Sequence, residues 1–303
     1  MRIEKFAAID IGSNAVRILI ANVINRKGHY TYQKNALVRV PIRLGEDAFV
    51  LSEISHYNFQ RLVKAMKAFD LLMQVHEVKK YAAYATSALR SVENKDEIIE
   101  KVLEESGIQI EIISGKKEAE VISRTSFSNF IDRQKIYLYV DVGGGSTEIS
   151  LYKNGKISVS KSFKIGTVRL INHLVDKELW DKMKTWIKTH TSKYKKVNLL
   201  GTGGNINKLH KLANLPESKP LSYLKLYSFY QELNRLSYTQ RIIKYRLNPD
   251  RSDVIIPAMQ IYMNVLNWSK AKAIFVPKTG LADGMIKELI FDDKKNHSNL
   301  NSS

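Results

Sequence analysis

The chain has 303 residues, a net charge of +18 and no cysteine. Its length favours two domains over one core, and the lack of cysteine excludes disulfides and thiolate metal sites. No run approaches the roughly 18 apolar residues of a membrane span, and the charged start is unlike a signal peptide. The sequence therefore predicts a cytoplasmic protein with no membrane contact. The charge favours a polyanionic partner, but the basic residues are dispersed, so DNA binding is not predicted.

The first half alternates strands with helices. Two strands flank a turn at 10–14, and a hairpin turn at Lys27–Gly28 leads to a third strand. The elements predicted next are a helix (55–72), a strand (81–85), a helix from Asn94 with a capping box to Glu97, a strand (108–113), and a Ser114-capped helix (116–130). This alternation indicates a largely parallel sheet covered by helices. Polar residues 132–134 mark the predicted boundary, giving domains 1–131 and 132–303, with packing of the last helix on the first domain as an option.

The second half repeats the first. Three short segments recur in the same order: Ile9–Gly12 as Val140–Gly143, Lys27–Gly28 as Asn154–Gly155, and Ile42–Gly45 as Phe163–Gly166. Such repetition predicts two similarly folded halves. The remaining predicted elements are helices at 168–190, 205–215, 221–245, 253–268 and 280–290, strands at 197–200 and 273–276, and a disordered polar tail at 292–303.

Three glycine-rich turns stand at strand ends, at 10–14, 141–148 and 201–204. Consecutive glycines present backbone N–H groups that bind phosphate oxygens, and the third turn opens a helix whose dipole favours anions. Asp141 and Glu148 bracket the second turn and could hold a cation. The alternative interpretation is a pair of tight hairpins that need glycine only for positive φ. Because two turns match, the repeat predicts paired phosphate-binding hairpins across an interdomain cleft.

These motifs resemble the actin, sugar-kinase and heat-shock chaperone ATPase superfamily. Within it, the chain is most similar to the exopolyphosphatase/guanosine pentaphosphatase family. The resemblance is carried by the three turns and by Arg43–Gly45, Ala85–Arg90, Ile113–Gly115 and Arg251–Ile255. It implies an α/β fold of two duplicated ribonuclease H-like (actin-like ATPase) domains. It also implies hydrolysis of the terminal phosphoanhydride of inorganic polyphosphate.

The resemblance places the family's catalytic glutamate on Glu118, in the segment Ser114–Ala119. A carboxylate in the first turn of a helix stays ionised under the dipole and can take a proton from water. The implied cofactor is Mg²⁺, with Mn²⁺ as an alternative, held by Asp141, Glu148 and Asp10. The implied phosphate-binding residues are Gly12, Ser13, Asn14, Arg43, Arg90, Gly143, Gly144, Gly145, Ser146, Thr147, Gly203 and Gly204.

Several positions depart from the family pattern. Lys116 and Lys117 precede the glutamate where an acid is common, Glu120 replaces an arginine, and Asn205 replaces a threonine. These changes leave two alternatives open: a guanosine pentaphosphate 5′-phosphohydrolase, or a non-catalytic binder of guanosine tetra- or pentaphosphate. The chain stops where the second half ends, so we expect the short two-domain type, a preference for shorter polyphosphate and, by resemblance, a homodimer.

Overall fold

In the computed structural model, residues 1–124 and 132–300 are described. They form two compact units, one of residues 1–124 with 279–300 and one of residues 132–278. The sequence-based division assigns 132–303 to the second domain and allows the last helix to pack on the first; in the structure, residues 279–300 group with the first unit. Residues 125–131, next to the predicted boundary, lie outside the described part of the chain. Among the described residues, no helix combines the length and the hydropathy needed to cross a membrane.

The first unit contains a five-stranded sheet in the order β3-β2-β1-β4-β5. Its elements are β1 (Arg2–Ile11), β2 (Val16–Arg26), β3 (His29–Val40), α1 (Leu44–Val50), α2 (His56–Val75), β4 (Val78–Ala85), α3 (Ser87–Arg90), α4 (Lys95–Ser106), β5 (Glu111–Ile112), α5 (Gly115–Ser123) and α13 (Leu281–Leu300). Strands β1, β4 and β5 are parallel, whereas β1, β2 and β3 form an antiparallel meander. The sheet is therefore mixed, and the predicted parallel arrangement holds for only one side of it.

The second unit contains a six-stranded sheet in the order β10-β11-β9-β6-β7-β8. Its elements are β6 (Tyr137–Val142), β7 (Thr147–Lys153), β8 (Lys156–Phe163), α6 (Thr167–Ile171), α7 (Lys177–Thr191), β9 (Asn198–Thr202), α8 (Gly204–Leu212), β10 (Leu221–Ser222), α9 (Tyr223–Arg235), α10 (Tyr238–Tyr245), α11 (Pro249–Ser252), α12 (Ile255–Ser269) and β11 (Ala273–Phe275). Strands β6, β9 and β11 are parallel and the other neighbours antiparallel.

The two sheets share one topology, which confirms the predicted duplication. Read from the meander edge, β8-β7-β6-β9-β11 matches β3-β2-β1-β4-β5, and β10 is an added edge strand. The first hairpin is also closed alike in each: Gly12 N–H donates to the Ala15 carbonyl, and Gly143 N–H to the Ser146 carbonyl. Equivalent backbone bonds at equivalent glycines show that the repeat extends to the turn itself.

Each unit has its own apolar core. The central strand β1 is buried from Phe6 to Ile11, and residues 6–9 form a continuous apolar run rather than an alternating one. In the second unit, β6 is buried along most of its length, and α12 contributes residues such as Met259 and Tyr262 to the same core. Each such large side chain contributes about 1.5–3 kcal/mol when fully buried, so both sheets are held rigidly behind their turns.

Several predicted helix boundaries are wrong, and the helix predicted over 221–245 is in fact two helices, α9 and α10. The helix expected over 168–190 is two helices, because the Asp176 side chain accepts a hydrogen bond from Leu179 N–H (2.8 Å) and so caps a new helix. The Asn94–Glu97 capping box does not form, since Asn94 instead bonds the backbone N–H and carbonyl of Ile54, at 3.0 and 2.9 Å. Helix α5 ends at Ser123 rather than at 130; residues 125–130 of that prediction lie outside the described part.

The predicted disordered tail is wrong for residues 292–300, which continue α13. The physical reason is Asp293, which is buried and accepts hydrogen bonds from Tyr30 (3.2 Å) and Lys80. The polar sequence of this tail predicts no contact with a core, because it does not show that partners on the distant strands β3 and β4 bind Asp293. The last predicted residues, 301–303, are not among those described.

Candidate active site

The glycine turn of the second unit is tightly constrained. Gly143 N–H donates to the Ser146 carbonyl (2.9 Å), and the Gly144 carbonyl accepts from Val168 N–H (2.8 Å). Gly166 packs so closely on Gly144 that a side chain there would overlap its carbonyl. The turn is therefore held from behind by the start of α6, a contact that the sequence did not predict.

In this turn, some backbone amides remain available to bind a ligand, whereas others are used in hydrogen bonds within the protein. Within the described residues, no hydrogen bond is donated by the amides of Gly144 and Gly145, whereas that of Gly143 closes the hairpin. The expectation that all three glycines offer bare N–H groups is thus wrong for Gly143. Two adjacent free amides still form a concave donor pair of the kind that binds phosphate oxygens.

The third turn lies directly beside the second. Gly203 adopts φ of 113° and approaches β6 so closely that a Cβ would lie 2.9 Å from the Val142 carbonyl oxygen. Gly204 then begins α8, a helix of nine residues whose first-turn amides point to the same end of the sheet. Only glycine satisfies both the backbone angle and the contact.

Asp141 and Glu148 are register partners on β6 and β7, with one oxygen of each within 4.8 Å of the other. Thr202 Oγ1 donates to Asp141 (2.8 Å), and the Ser146 and Ser162 hydroxyls donate to Glu148 at 2.6 and 2.9 Å. Glu148 is only 1% exposed. Two carboxylates fixed by hydroxyl donors are the hard oxygen ligands that Mg²⁺ or Mn²⁺ prefers, so these residues fit the predicted metal.

Buried tyrosines surround Asp141. Tyr139 hydrogen-bonds Thr202 Oγ1, and because the threonine proton is used on Asp141, Tyr139 donates in that pair. Tyr262 donates to the Thr202 carbonyl. Burial, and secondarily the Asp141 charge, raise the pKa of both phenols well above the usual value. Both phenols therefore remain neutral donors that organise Thr202.

Two arginines that the sequence analysis did not assign to the site lie beside these turns. Arg169 Nε donates to the Gly145 carbonyl (3.0 Å), and Arg251 Nη1 to the Gly204 carbonyl (3.0 Å). Burial lowers the pKa of Arg169, which remains a cation near the turn. Arg251 occurs in a quoted motif without a role, and Arg169 follows Gly166 by three residues. Their positions depend on α6 and α11, which no local pattern locates against the turns.

In the first unit, the matching turn is held by α1. Gly45 N–H donates to the Ser13 carbonyl (2.7 Å) and Arg43 N–H to the Asn14 carbonyl (3.1 Å). Ser13 is buried, and its hydroxyl shares a hydrogen bond with that of Ser87 (2.9 Å). As at Gly143, the Gly12 amide closes the hairpin, which leaves it unavailable as the predicted phosphate donor.

Asp10, predicted as a third metal ligand, is buried with Arg17 Nη1 3.6 Å from its carboxylate. Burial raises the pKa of Asp10, and Arg17 only partly offsets this. Its role as a metal ligand stays a prediction.

The two predicted phosphate-binding arginines differ in their surroundings. Arg43, with φ of 65°, donates to the Glu46 carboxylate from Nε (2.7 Å) and Nη2. Arg90 donates to the Ile113 carbonyl, and no ion pair involves it among the described residues. The charge of Arg43 is therefore partly neutralised by a carboxylate, whereas Arg90 contacts a neutral carbonyl and can attract an anion more strongly.

Glu118 lies in the first turn of α5, as predicted. Ser114 caps that helix by accepting from Lys117 N–H (3.2 Å), and Glu118 N–H donates to the Ser114 carbonyl (2.9 Å). Glu118 is buried. Arg90, through Ile113, fixes the residue that precedes the cap. Within this unit, the fold therefore connects the arginine and the predicted base through one short stretch of backbone.

The charge reversals on α5 have partners. Lys117 Nζ donates to Glu288 on α13 (2.6 Å), and Glu120 pairs with Arg124 one turn later (3.1 Å). Bonding to Glu288 is the main cause that raises the pKa of Lys117. Two of the departures from the family pattern are thus engaged in ion pairs within the first unit.

The fold and these residues define a duplicated α/β protein with equivalent glycine turns in its two units. The chain belongs to the Ppx/GppA phosphatase family, whose model matches residues 25–292. The predicted duplicated α/β fold is confirmed, and it is the fold of a solved structure of the Ppx/GppA family, from Aquifex aeolicus.

Three similar proteins illustrate the range of this likeness. The bifunctional 3-dehydroquinate synthase/phosphatase of Fusobacterium nucleatum is 30% identical over 314 residues, covering 93% of this chain and 46% of that protein. Exopolyphosphatase 2 of Mycobacterium tuberculosis is 30% identical over 179 residues, covering 56% of this chain and 54% of that protein. The chain thus spans about half the length of these curated relatives.

A solved structure agrees over nearly the whole chain. The crystal structure of an exopolyphosphatase from Cytophaga hutchinsonii has a TM-score of 0.80 and 23% identity, and covers 95% of this chain and 98% of that one. At this identity the likeness establishes the fold alone.

Proposed function

We propose that this chain is an exopolyphosphatase that releases the terminal phosphate of inorganic polyphosphate. The observation that carries the proposal is Glu118, a buried carboxylate in the first turn of a Ser114-capped helix. The names of two similar proteins, an exopolyphosphatase of M. tuberculosis and one of C. hutchinsonii, support this substrate class.

In the proposed reaction, a water molecule attacks the terminal phosphorus and gives its proton to Glu118. The bond from phosphorus to the bridging oxygen breaks. Orthophosphate is released, and the remaining polyphosphate is shorter by one unit. The amides of Gly144 and Gly145 and the guanidinium of Arg90 hold phosphate oxygens, because phosphoryl transfer depends mainly on positioning and charge neutralisation. Asp141 and Glu148 would hold Mg²⁺, which when bound supplies positive charge against the phosphate oxygens.

The non-catalytic binder is the less favoured alternative. Its main support is the reversed charge at Lys116, Lys117 and Glu120. Of these side chains, Lys117 and Glu120 are in ion pairs with Glu288 and Arg124, respectively. Neither reversal therefore implies a loss of the base. No observation of the described residues separates polyphosphate from guanosine pentaphosphate as the substrate.

The test is Mg²⁺-dependent phosphate release from polyphosphate of graded length and from guanosine pentaphosphate, with binding measured in parallel. We expect release from polyphosphate, with shorter chains preferred. Faster release from guanosine pentaphosphate would establish the 5′-phosphohydrolase instead. Binding of both without release would establish the binder.

Arg90→Lys provides a sharper test of the phosphate ligands. It keeps the charge but loses the planar pair of donors, so we expect KM to rise about tenfold, as for the loss of a charge-assisted hydrogen bond of about 1.4 kcal/mol. Arg246→Lys, an exposed position on the second unit, is the matched control and should leave KM unchanged. An unchanged KM for Arg90→Lys would remove Arg90 from the site.

A further inference from the structure

We propose that Glu288 is a positioning residue for Glu118, and that Lys117 acts as its ion-pair partner and not as a phosphate ligand. The proposal rests on the proposed function, because it takes Glu118 to be the base. Its observations are independent of the turns and of the metal ligands, since they concern only the contact between α5 and α13.

The two helices approach closely along one seam. Gly284 and Glu288 are four residues apart and so share a face of α13. A side chain at Gly284 would overlap the Val121 carbonyl of α5, which shows that the backbones meet there. Lys117, Val121 and Arg124 share the facing side of α5. Glu288 therefore lies where a carboxylate can reach both ends of α5.

The carboxylate of Glu288 uses both oxygens. Oε1 accepts from Lys117 Nζ (2.6 Å) and lies 4.0 Å from Arg124 Nη2, and Oε2 accepts from the Tyr84 hydroxyl (2.8 Å). Its side chain is only 12% exposed, so these charges are screened less than a surface pair would be. One side chain thus joins α13, α5 and the sheet strand β4.

These contacts determine the orientation of Glu118. Lys117 immediately precedes Glu118 and its side chain points to Glu288, so the adjacent turn of α5 is held with Glu118 on a different face. If Glu288 loses its charge, Lys117 loses its carboxylate partner on α13, and Arg124 keeps only its pair with Glu120 on α5. We expect the first turn of α5 to shift, and a shift of about 1 Å in a catalytic group can reduce turnover about 100-fold.

The first variant is Glu288→Gln, with Asp293→Asn as its matched control. Asp293 lies on the same helix and also accepts hydrogen bonds from a tyrosine and a lysine. These partners are Tyr30 on β3 and Lys80 on β4, so neither lies on α5. We expect Glu288→Gln to lower kcat by about 10- to 100-fold with KM within about twofold, and Asp293→Asn to change kcat less than about twofold. Equal loss in both variants would overturn the proposal.

A charge swap distinguishes positioning from phosphate binding. Lys117→Glu places two carboxylates together, so kcat should fall, and Lys117→Glu combined with Glu288→Lys should recover at least tenfold of the loss. Lys116→Glu makes the same charge change at an exposed neighbour and should leave kcat unchanged. A rise in KM at constant kcat for Lys117→Glu, or a folded double variant without recovery, would overturn the proposal.

A third measurement does not depend on activity. The Lys117 and Glu118 amides donate to Ser114 at the helix start, so Glu288→Gln should speed their hydrogen exchange at least tenfold, and Asp293→Asn should not. Unchanged exchange in Glu288→Gln would overturn the proposal. If the wild-type protein releases no phosphate, the proposed function fails, and hydrogen exchange still decides whether Glu288 holds this turn. If Glu288→Gln does not fold, the same exchange measurement is made on the charge-swapped double variant. Slow exchange of the Lys117 and Glu118 amides there would support the proposal, and fast exchange would overturn it.

Discussion

At the scale of single residues, Thr202 controls Asp141. Its hydroxyl donates to the carboxylate (2.8 Å) and accepts from Tyr139, so Thr202→Val removes a donor at nearly constant volume. Loss of such a supporting bond typically weakens metal binding by about 10- to 100-fold. We predict that the Mg²⁺ concentration for half-maximal activity rises about tenfold. Ser150→Ala, on the strand β7 that carries Glu148, removes a bond to Ser160 on β8 and should not change this concentration. A shift of equal size there would contradict the assignment.

Asp10 yields a prediction about pH. Burial raises its folded-state pKa, so the folded protein favours the protonated form. The stability from that preference is present below the unfolded-state pKa and is lost as pH rises through the folded-state pKa. Asp10→Asn, which resembles the protonated form, should therefore gain stability over wild type as pH rises from about 4 to 7.

Urea unfolding of both proteins across this pH range is the measurement. Asp132→Asn is the control of opposite sign, because bonding to Lys135 lowers the pKa of Asp132; its relative stability should fall, slightly, as pH rises. If the free energy of unfolding of the wild type instead rises relative to that of Asp10→Asn as pH increases, the ion pair with Arg17 outweighs the effect of burial.

At the scale of elements, the close contact between α6 and the glycine turn is the most sensitive point. Gly166→Ala would push a methyl group into the Gly144 carbonyl, and overpacking of this kind costs about 1–3 kcal/mol. We predict a lower free energy of unfolding together with slower phosphate release, because the turn must move. Gly280→Ala meets no atom within 4 Å and is the neutral control. Equal stability of both variants would show that the turn yields without cost.

The elements also show how far the sequence suffices. The repeat predicted the duplicated topology and the two matching turns, because local turn chemistry and apolar runs determine them. It could not reveal that the Gly12 and Gly143 amides close their hairpins, since that depends on backbone direction. Nor could it locate Arg169, or Asp293 against Tyr30 and Lys80, because these contacts join segments far apart in the chain.

At the scale of the whole molecule, the net charge of +18 should govern encounter with a polyanion. Screening lengths fall from about 30 Å at 0.01 M salt to about 8 Å at 0.15 M. We therefore predict that KM for long polyphosphate rises with ionic strength, and more steeply than KM for tripolyphosphate, whose few charges lie close to the site. Parallel slopes for the two substrates would show that the dispersed surface charge plays no part in binding.

The central claim is that Glu118 activates the attacking water. Single-turnover phosphate release from polyphosphate by Glu118→Gln measures this directly, with Glu120→Gln on the same helix as control. We predict a rate at least 100-fold lower for Glu118→Gln, as expected for loss of a general base, with polyphosphate binding retained and with Glu120→Gln close to wild type. A Glu118→Gln protein that releases phosphate at the wild-type rate would contradict the account.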